Sequence, residues 1–508
     1  MSRNPEVVVF DYGSQFNLLI TRRLREQGVY SELIPPPLKF RVEDYPDTRA
    51  VILSGGPQSV YDENSPKLPD GLIESGVPVL GICYGMQLLC QGLGGEVSRS
   101  KVREYGPAPL AAVWEHPLTN GLELGQVLWM SHGDKVSRLP EGSRALATTN
   151  DCDAIFCHES KPIYGLQFHP EVSHTQCGER LLRNFLELAG CEFDWTASHF
   201  IDEAVKDIRA RVGDAKVCCA LSGGVDSSVA ATLVAKAIGD QLTCLFVDNG
   251  LLRYQESDRV LQLMDEAKVK VKRVDAEDLF LERLKGVSDP EKKRKIIGHT
   301  FIEVFDNALA DQDVTFLVQG TLYPDVVESG AGQAATIKTH HNVGGLPEDM
   351  KLKLLEPLRE LFKDEVRRVG SELGLPQSVV SRQPFPGPGM AVRVLGPVDK
   401  TRLDMARAAD HIATTEIEKA HPVGERPWQY YAALLPVRSV GVMGDGRQYG
   451  ETVAVRAVRS HDAMTADVFP LDWALLERIA VRIVNEVEGV NRVVYDITPK
   501  PPGTIEWE

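Results

Sequence analysis

Two short apolar runs in this chain each stop at a glycine-bounded loop that opens a helical pattern, and few folds admit that arrangement. Residues 77–80 lead into Gly81-Ile82-Cys83-Tyr84-Gly85, and residues 216–221 lead into Ser222-Gly223-Gly224-Val225-Asp226-Ser227-Ser228. A run that is apolar at nearly every position, rather than at every second one, is a strand covered on both faces, as in a parallel sheet flanked by helices. Similar runs at 6–10, 50–53, 242–247 and 315–318 alternate with helical patterns at 14–26, 84–92, 178–188, 200–211 and 226–238. The fold class is therefore α/β, with two doubly wound parallel-sheet domains, one around each loop. Chemistry in such sheets gathers at the carboxyl ends of the strands, where both loops fall.

The rest of the chain divides around this frame. Residues 96–168 are richer in short strands, with 127–130 and 163–168 the clearest, and 191–195 form a join. Pro384-Phe385-Pro386-Gly387-Pro388-Gly389 is too proline-rich for a helix or an inner strand. Beyond it come a helical pattern at 402–418, a hairpin of 435–443 and 452–458 about Gly444-Asp445-Gly446, a helix at 473–488 and a strand at 492–495. This reads as a small α+β unit, so three domains are expected: 1–194, 195–383 and 384–508. The glycine-containing stretch 324–347 has few apolar residues and reads as a long functional loop.

A formal net charge of −16 argues against nucleic acid as partner, because such proteins carry a basic face. The basic runs at 268–273 and 292–295 read as solvated faces. Nine cysteines, at 83, 90, 152, 157, 177, 191, 218, 219 and 244, follow no zinc spacing, and their odd number speaks for a reducing compartment rather than a disulfide framework. The first residues lack the apolar core of a signal peptide, and no apolar run reaches membrane-spanning length. A cytoplasmic protein with no membrane partner is expected.

Cys83 sits between two glycines where a strand gives way to a helix, the geometry of a nucleophile elbow with sulfur in place of oxygen. The helix N-terminus favours the thiolate that attacks. Downstream, His169-Pro170-Glu171 offers an imidazole to move the proton and a carboxylate to orient it, both expected on one side of an extended segment. Ser54-Gly55-Gly56-Pro57, Gly81-Ile82-Cys83-Tyr84-Gly85-Met86-Gln87 and His169-Pro170-Glu171 resemble class I glutamine amidotransferases. The resemblance implies Cys83 as nucleophile, His169 as base and Glu171 as its orienting acid. It also implies backbone oxyanion donors at Gly56 and Tyr84, with glutamine contacts from Gln87 and a turn at Met130-Ser131-His132-Gly133-Asp134.

The second loop suits pyrophosphate. Successive N–H groups at a helix N-terminus form a nest for anionic oxygens, and Ser222, Ser227 and Ser228 add hydroxyls. Asp226 suits Mg²⁺, and no Gly-Lys-Ser/Thr follows, so this is not a Walker A loop. Asp248 ends the next strand, either as a cap or as a nucleotide contact. The motif, Ser222 through Ser228, is similar to the PP-loop of ATP pyrophosphatases, which cleave ATP between its α and β phosphates.

That family alone leaves the acceptor open. Residues 246–253, 292–298, 337–342, 384–389, 438–447 and 500–508 resemble the GMP synthase family, a likeness spanning nearly the whole chain. Gly503, where alanine is common, and Tyr12, where phenylalanine is, are small departures. The resemblance implies XMP, ATP and glutamine as substrates, Mg²⁺ with the ATP, and a homodimer joined through the C-terminal unit. It further implies Arg294, Lys500, Ile505 and Glu506 as XMP contacts, with Lys338, His340, His341 and Lys363 at the adenylation centre or its lid. The alternative is another glutamine-dependent ATP pyrophosphatase, such as an NAD synthetase-like amidoligase, which does not need the C-terminal unit. A transfer-RNA thiolase fits the acidic charge poorly, and a sensor with dead sites fits the intact motifs poorly.

Overall fold

The computed structural model describes residues 3–310, 312–330, 352–443, 446–460 and 465–508. The chain forms two compact units, Met1–Phe200 and Ile201–Glu508. No helix among the described residues is long and apolar enough to cross a membrane.

The first unit is built on an eight-stranded sheet. The strands Ser31–Ile34, Val7–Phe10, Ala50–Leu53, Val79–Ile82 and Ile163–Leu166 run parallel in that spatial order. Asp153–His158, Ser143–Thr148 and Ala112–Val113 extend the sheet as antiparallel strands. All four residues of Val7–Phe10, Ala50–Leu53, Val79–Ile82 and Ile163–Leu166 are buried, which is why these strands lack polar alternation. A separate antiparallel ribbon joins Glu96–Pro109 to Val127–Arg138.

The second unit holds a five-stranded, all-parallel sheet in the order Val271–Asp275, Leu242–Asp248, Val217–Ala220, Phe316–Val318, Lys353–Leu355. Val217–Ala220 is central, so the loop that follows it opens at the middle of the carboxyl edge. The expected hairpin is present as Gln429–Met443 against Gly446–Arg459, with Val490–Asp496 alongside in parallel. One continuous apolar cluster joins Phe280, Ile297 and Val304 to Met390, Leu403, Val453 and Ile479, so the C-terminal elements share a core with the helices of the parallel sheet. Within the stretch expected to be a long loop, Tyr323–Gly330 is helical, and residues 331–347 lie outside the described residues.

Candidate functional site

Cys83 terminates Val79–Ile82 and caps the helix Tyr84–Gly92 with φ 52° and ψ −104°, a conformation an L-residue adopts only under constraint. Its neighbours supply the constraint. A Cβ on Gly81 would lie 2.5 Å from the Gly85 carbonyl carbon, and one on Gly85 would lie 2.4 Å from the Leu53 carbonyl oxygen. Strand and helix can therefore meet this closely only through glycine at both positions. The Cys83 amide donates to the Leu166 carbonyl at 2.6 Å, tying the elbow to the adjacent strand.

His169 follows that same adjacent strand. Its Nδ1 stands 2.7 Å from Glu171 Oε1, and Glu171 is fully buried. His169 and Glu171 meet across a turn at Pro170 rather than along an extended segment. Burial opposes the imidazolium, but hydrogen bonds with Cys83 and Glu171, and the Glu171 charge, raise His169 to about 10. The Phe16 ring packs edge-on against the imidazole at 5.4 Å between centroids. Gly55 also touches it, since a Cβ there would lie 2.9 Å from His169 Cε1. Phe16 carried no sequence signal, because one aromatic in a helical pattern looks like core.

A Cβ on Gly56 would lie 2.7 Å from the Tyr12 carbonyl oxygen, and Ser54 Oγ accepts the Tyr12 amide at 2.9 Å, which fixes the glycine segment. Tyr84 begins a helix, so its amide has no acceptor one turn back and is available to an oxyanion. Gln87 is buried and gives its amide nitrogen to the Asp134 carbonyl at 2.8 Å. The segment 130–134 is not a turn but the middle of the strand Val127–Arg138, and the Ser131 carbonyl lies 3.6 Å from Cys83 Sγ.

In the second unit the loop 222–228 leaves the central strand and enters the helix Val225–Ile238. Gly223 has φ 77°, and a Cβ there would also meet Val260 Cγ2 at 2.9 Å. Ser222 Oγ and Ser227 Oγ are 3.0 Å apart, and Ser227 donates to the Gly224 carbonyl at 3.1 Å. Both hydroxyls stand at the loop surface, whereas Ser228 and Val225 lie beneath it and Ser228 is only 1% exposed. Asp226 Oδ1 is buried without a hydrogen-bond partner among the described residues. Burial raises the Asp226 carboxyl, Lys363 and Arg367 pull it back down, and Asp325 pushes it up. The structure thus gathers Lys363, which begins the helix Lys363–Glu372, beside Asp226.

Sequence reasoning missed Arg382, which donates to the Gly223 carbonyl at 2.8 Å and pairs with Glu256. Its position just ahead of the proline-rich motif was the one local signal. Asp248 behaves as a cap: one oxygen accepts the Gly250 amide at 3.2 Å and the other pairs with Arg273 at 2.7 Å. Lys338, His340 and His341 lie outside the described residues.

The C-terminal tail is anchored by half-buried Arg294 and by buried Arg393 and Arg456. Arg294 donates to the Glu508 carbonyl oxygen at 2.7 Å. Glu506 takes hydrogen bonds from Arg393 at 3.0 Å and from Gln429, so its carboxylate holds the tail in place. Arg456 donates to the Ile505 carbonyl at 2.9 Å and Tyr431 to the same oxygen at 2.8 Å. Lys500 pairs through its backbone with Ala466. Lys293, in the run expected to be a solvated face, has a fully buried side chain that binds the Ala391 and Val394 carbonyls at 3.1 and 2.8 Å. Helical periodicity explains this: only one lysine of four consecutive cations need face the core.

These features define a cysteine-dependent amidohydrolase unit carried on one chain with a phosphate-loop nucleotide unit. The chain matches the glutamine amidotransferase class-I family over residues 8–189, the NAD synthase family over 196–296 and the GMP synthase C terminal domain over 415–507. It is 55% identical to the glutamine-hydrolysing GMP synthase of Geobacillus kaustophilus over 506 residues, covering 99% of each chain. It is 54% identical to that of Clostridium kluyveri, again covering 99% of each, and 53% identical to that of Listeria monocytogenes, covering 100% of this chain and 98% of the relative. A solved structure from Thermoplasma acidophilum, described as a GMP synthase component, is 28% identical, covering 37% of this chain and 96% of its own, with a TM-score of 0.33. The chain belongs to the family of glutamine-hydrolysing GMP synthases.

Proposed function

We propose that this chain converts XMP to GMP, with glutamine as nitrogen source and ATP cleaved to AMP and pyrophosphate. The observation that carries the reading is the Cys83–His169–Glu171 arrangement on the same chain as the 222–228 loop and its buried Asp226.

In the first unit Cys83 sulfur attacks the glutamine side-chain amide carbon. The amides of Gly56 and Tyr84 receive the oxyanion, and His169 gives its proton to the departing nitrogen. Water then cleaves the thioester, with His169 as base, and glutamate leaves. In the second unit the XMP C2 oxygen attacks the α-phosphorus of ATP and pyrophosphate departs. Ammonia then adds at C2 and AMP leaves with that oxygen. Ser222, Ser227 and the loop amides hold the phosphates, while Lys363 lies beside Asp226, where it offsets charge at the adenylation centre.

Asp226 fits Mg²⁺, since its unpartnered buried carboxylate oxygen is a hard donor of the kind that ion prefers. Mg²⁺ bound with ATP would neutralise phosphate charge. Arg294 and Lys500 suit the XMP phosphate, and Ile505 and Glu506 shape the tail beside it. The chain works in the cytoplasm and pairs with a second copy through its C-terminal sheet; exposed Val440, Val442, Tyr449 and Ile497 support that pairing.

The test is Cys83→Ala. Glutamine-dependent GMP formation is lost, while formation from added ammonium salts persists. Equal loss with both nitrogen sources would sink the two-site reading.

A further inference from the structure

Glu104 and His132 are cross-strand partners in the ribbon of Glu96–Pro109 and Val127–Arg138. Cys152 reaches the same point from the turn between Ser143–Thr148 and Asp153–His158. One ligand-type atom from each of the three lies within 4.8 Å of the others. His132 Nε2 stands 3.1 Å from Glu104 Oε2 with its side chain only 2% exposed. Yet neither His132 nitrogen nor Glu104 Oε2 makes a hydrogen bond among the described residues. Buried polar atoms without a hydrogen bond are rare in native interiors, and here His132 Nε2 and Glu104 Oε2 face each other only as an ion pair while His132 Nδ1 has none, which points to an absent partner.

We propose that Glu104, His132 and Cys152 form a binding site for a borderline-soft divalent cation, Zn²⁺ by preference, with a fourth position open to water. Imidazole, thiolate and carboxylate are the donor types that zinc takes with three protein ligands. At zinc–ligand distances of about 2.0–2.3 Å, tetrahedral donors stand about 3.5 Å apart, so the cluster need contract by about 1 Å at its widest. Burial pushes His132 down to about 4, which keeps its ring neutral and able to ligate. Burial also pushes Cys152 up to about 12, so cation binding must release the thiol proton to solvent. Thiolate and carboxylate together then balance the charge of the ion. Lys135, bonded to the Asp151 carbonyl at 3.0 Å, weakens affinity without blocking the site.

The position has a consequence for the thiol. His132 follows Ser131, whose carbonyl faces Cys83, so a cation here would clamp the strand that lines the nucleophile.

The experiment is Co²⁺ titration of the full chain carrying Cys83→Ala, which removes the catalytic thiol as a rival ligand. One Co²⁺ per chain, with a thiolate-to-cobalt absorption band, is expected. Cys152→Ser in that background abolishes the band, and Cys177→Ser retains it. Glu104→Gln, which preserves shape, keeps the band but weakens affinity about tenfold. No band in the parent, a band that survives Cys152→Ser, or affinity unchanged by Glu104→Gln each overturns the site.

Discussion

Replacing Glu171 by glutamine isolates the work of its charge, because the two side chains share a shape. His169 Nδ1 lies 2.7 Å from Glu171 Oε1, and neither residue is open to solvent. Burial opposes a charged ring, while bonds to Cys83 and Glu171 carry His169 up to about 10 from 6.5. That difference favours the imidazolium by about 5 kcal/mol, at about 1.4 kcal/mol per tenfold. A hydrogen bond to a charged group contributes about 1.5–3 kcal/mol, the order of effect removed with the Glu171 charge. Glutamine also brings an amide nitrogen. Offered to Nδ1, it would leave the ring proton on Nε2 and stop that nitrogen from taking the thiol proton.

The kcat/KM for glutamate release should fall about 100- to 10,000-fold, as when a triad carboxylate becomes an amide. Ammonia-dependent GMP formation should hold at its original rate. Because the folded-state value of His169 is raised, the proton and the stability it contributes are fully present below about 6.5. Both are lost as pH rises through about 10. The alkaline limb of kcat/KM, which reports the free enzyme, therefore lies near 10 in the native chain and moves to lower pH in the variant. An alkaline limb that stays in place, or glutamine turnover equal to the native chain, refutes the reasoning.

Gly85→Ala forces a methyl to 2.4 Å from the Leu53 carbonyl oxygen and should cost about 3 kcal/mol of stability in the first unit, read by thermal unfolding, with glutaminase activity lost. An unchanged melting profile would show that the elbow has slack. Asp226→Asn retains the shape but not the charge beside Lys363, and XMP-dependent pyrophosphate release should drop about 100-fold. Release at the native rate would remove Asp226 from the ATP site. Arg393→Met strands the Glu506 and Asp410 carboxylates in the interior, which should destabilise the second unit by about 3–5 kcal/mol and raise KM for XMP through a loosened tail. Denaturant unfolding and XMP saturation curves check the two effects separately.

Both loops were readable because their signals are local. Glycines that permit a tight strand-to-helix turn stand next to the residues they serve, so Cys83 and Ser222–Ser227 could be found without contacts. Lys363 and Arg294 were readable only through resemblance, since an isolated cation in a helix carries no pattern. Phe16 and Arg456 were not readable at all, and Arg382 had only its place beside the proline-rich motif. Each acts through a partner far away in the sequence, and nothing in the residue type announces it.

The family resemblance implied a turn at 130–134, yet cross-strand pairing with residues 99–106 draws it into a strand. Lys293 looked solvated because it sits among cations, although the core cluster around Ile297 takes up that helix face.

The sequence by itself determined the alternation of buried strands and helices, and hence the two parallel sheets with a reactive loop at the carboxyl edge of each. Periodicity and glycine placement act within a few residues, so they need no tertiary information. Only the tertiary structure decided that His169 and Glu171 meet across a turn, that the tail rests on buried Arg393 and Arg456, and that Glu104, His132 and Cys152 converge. Those outcomes depend on strand pairing and burial across the chain, where no spacing rule applies.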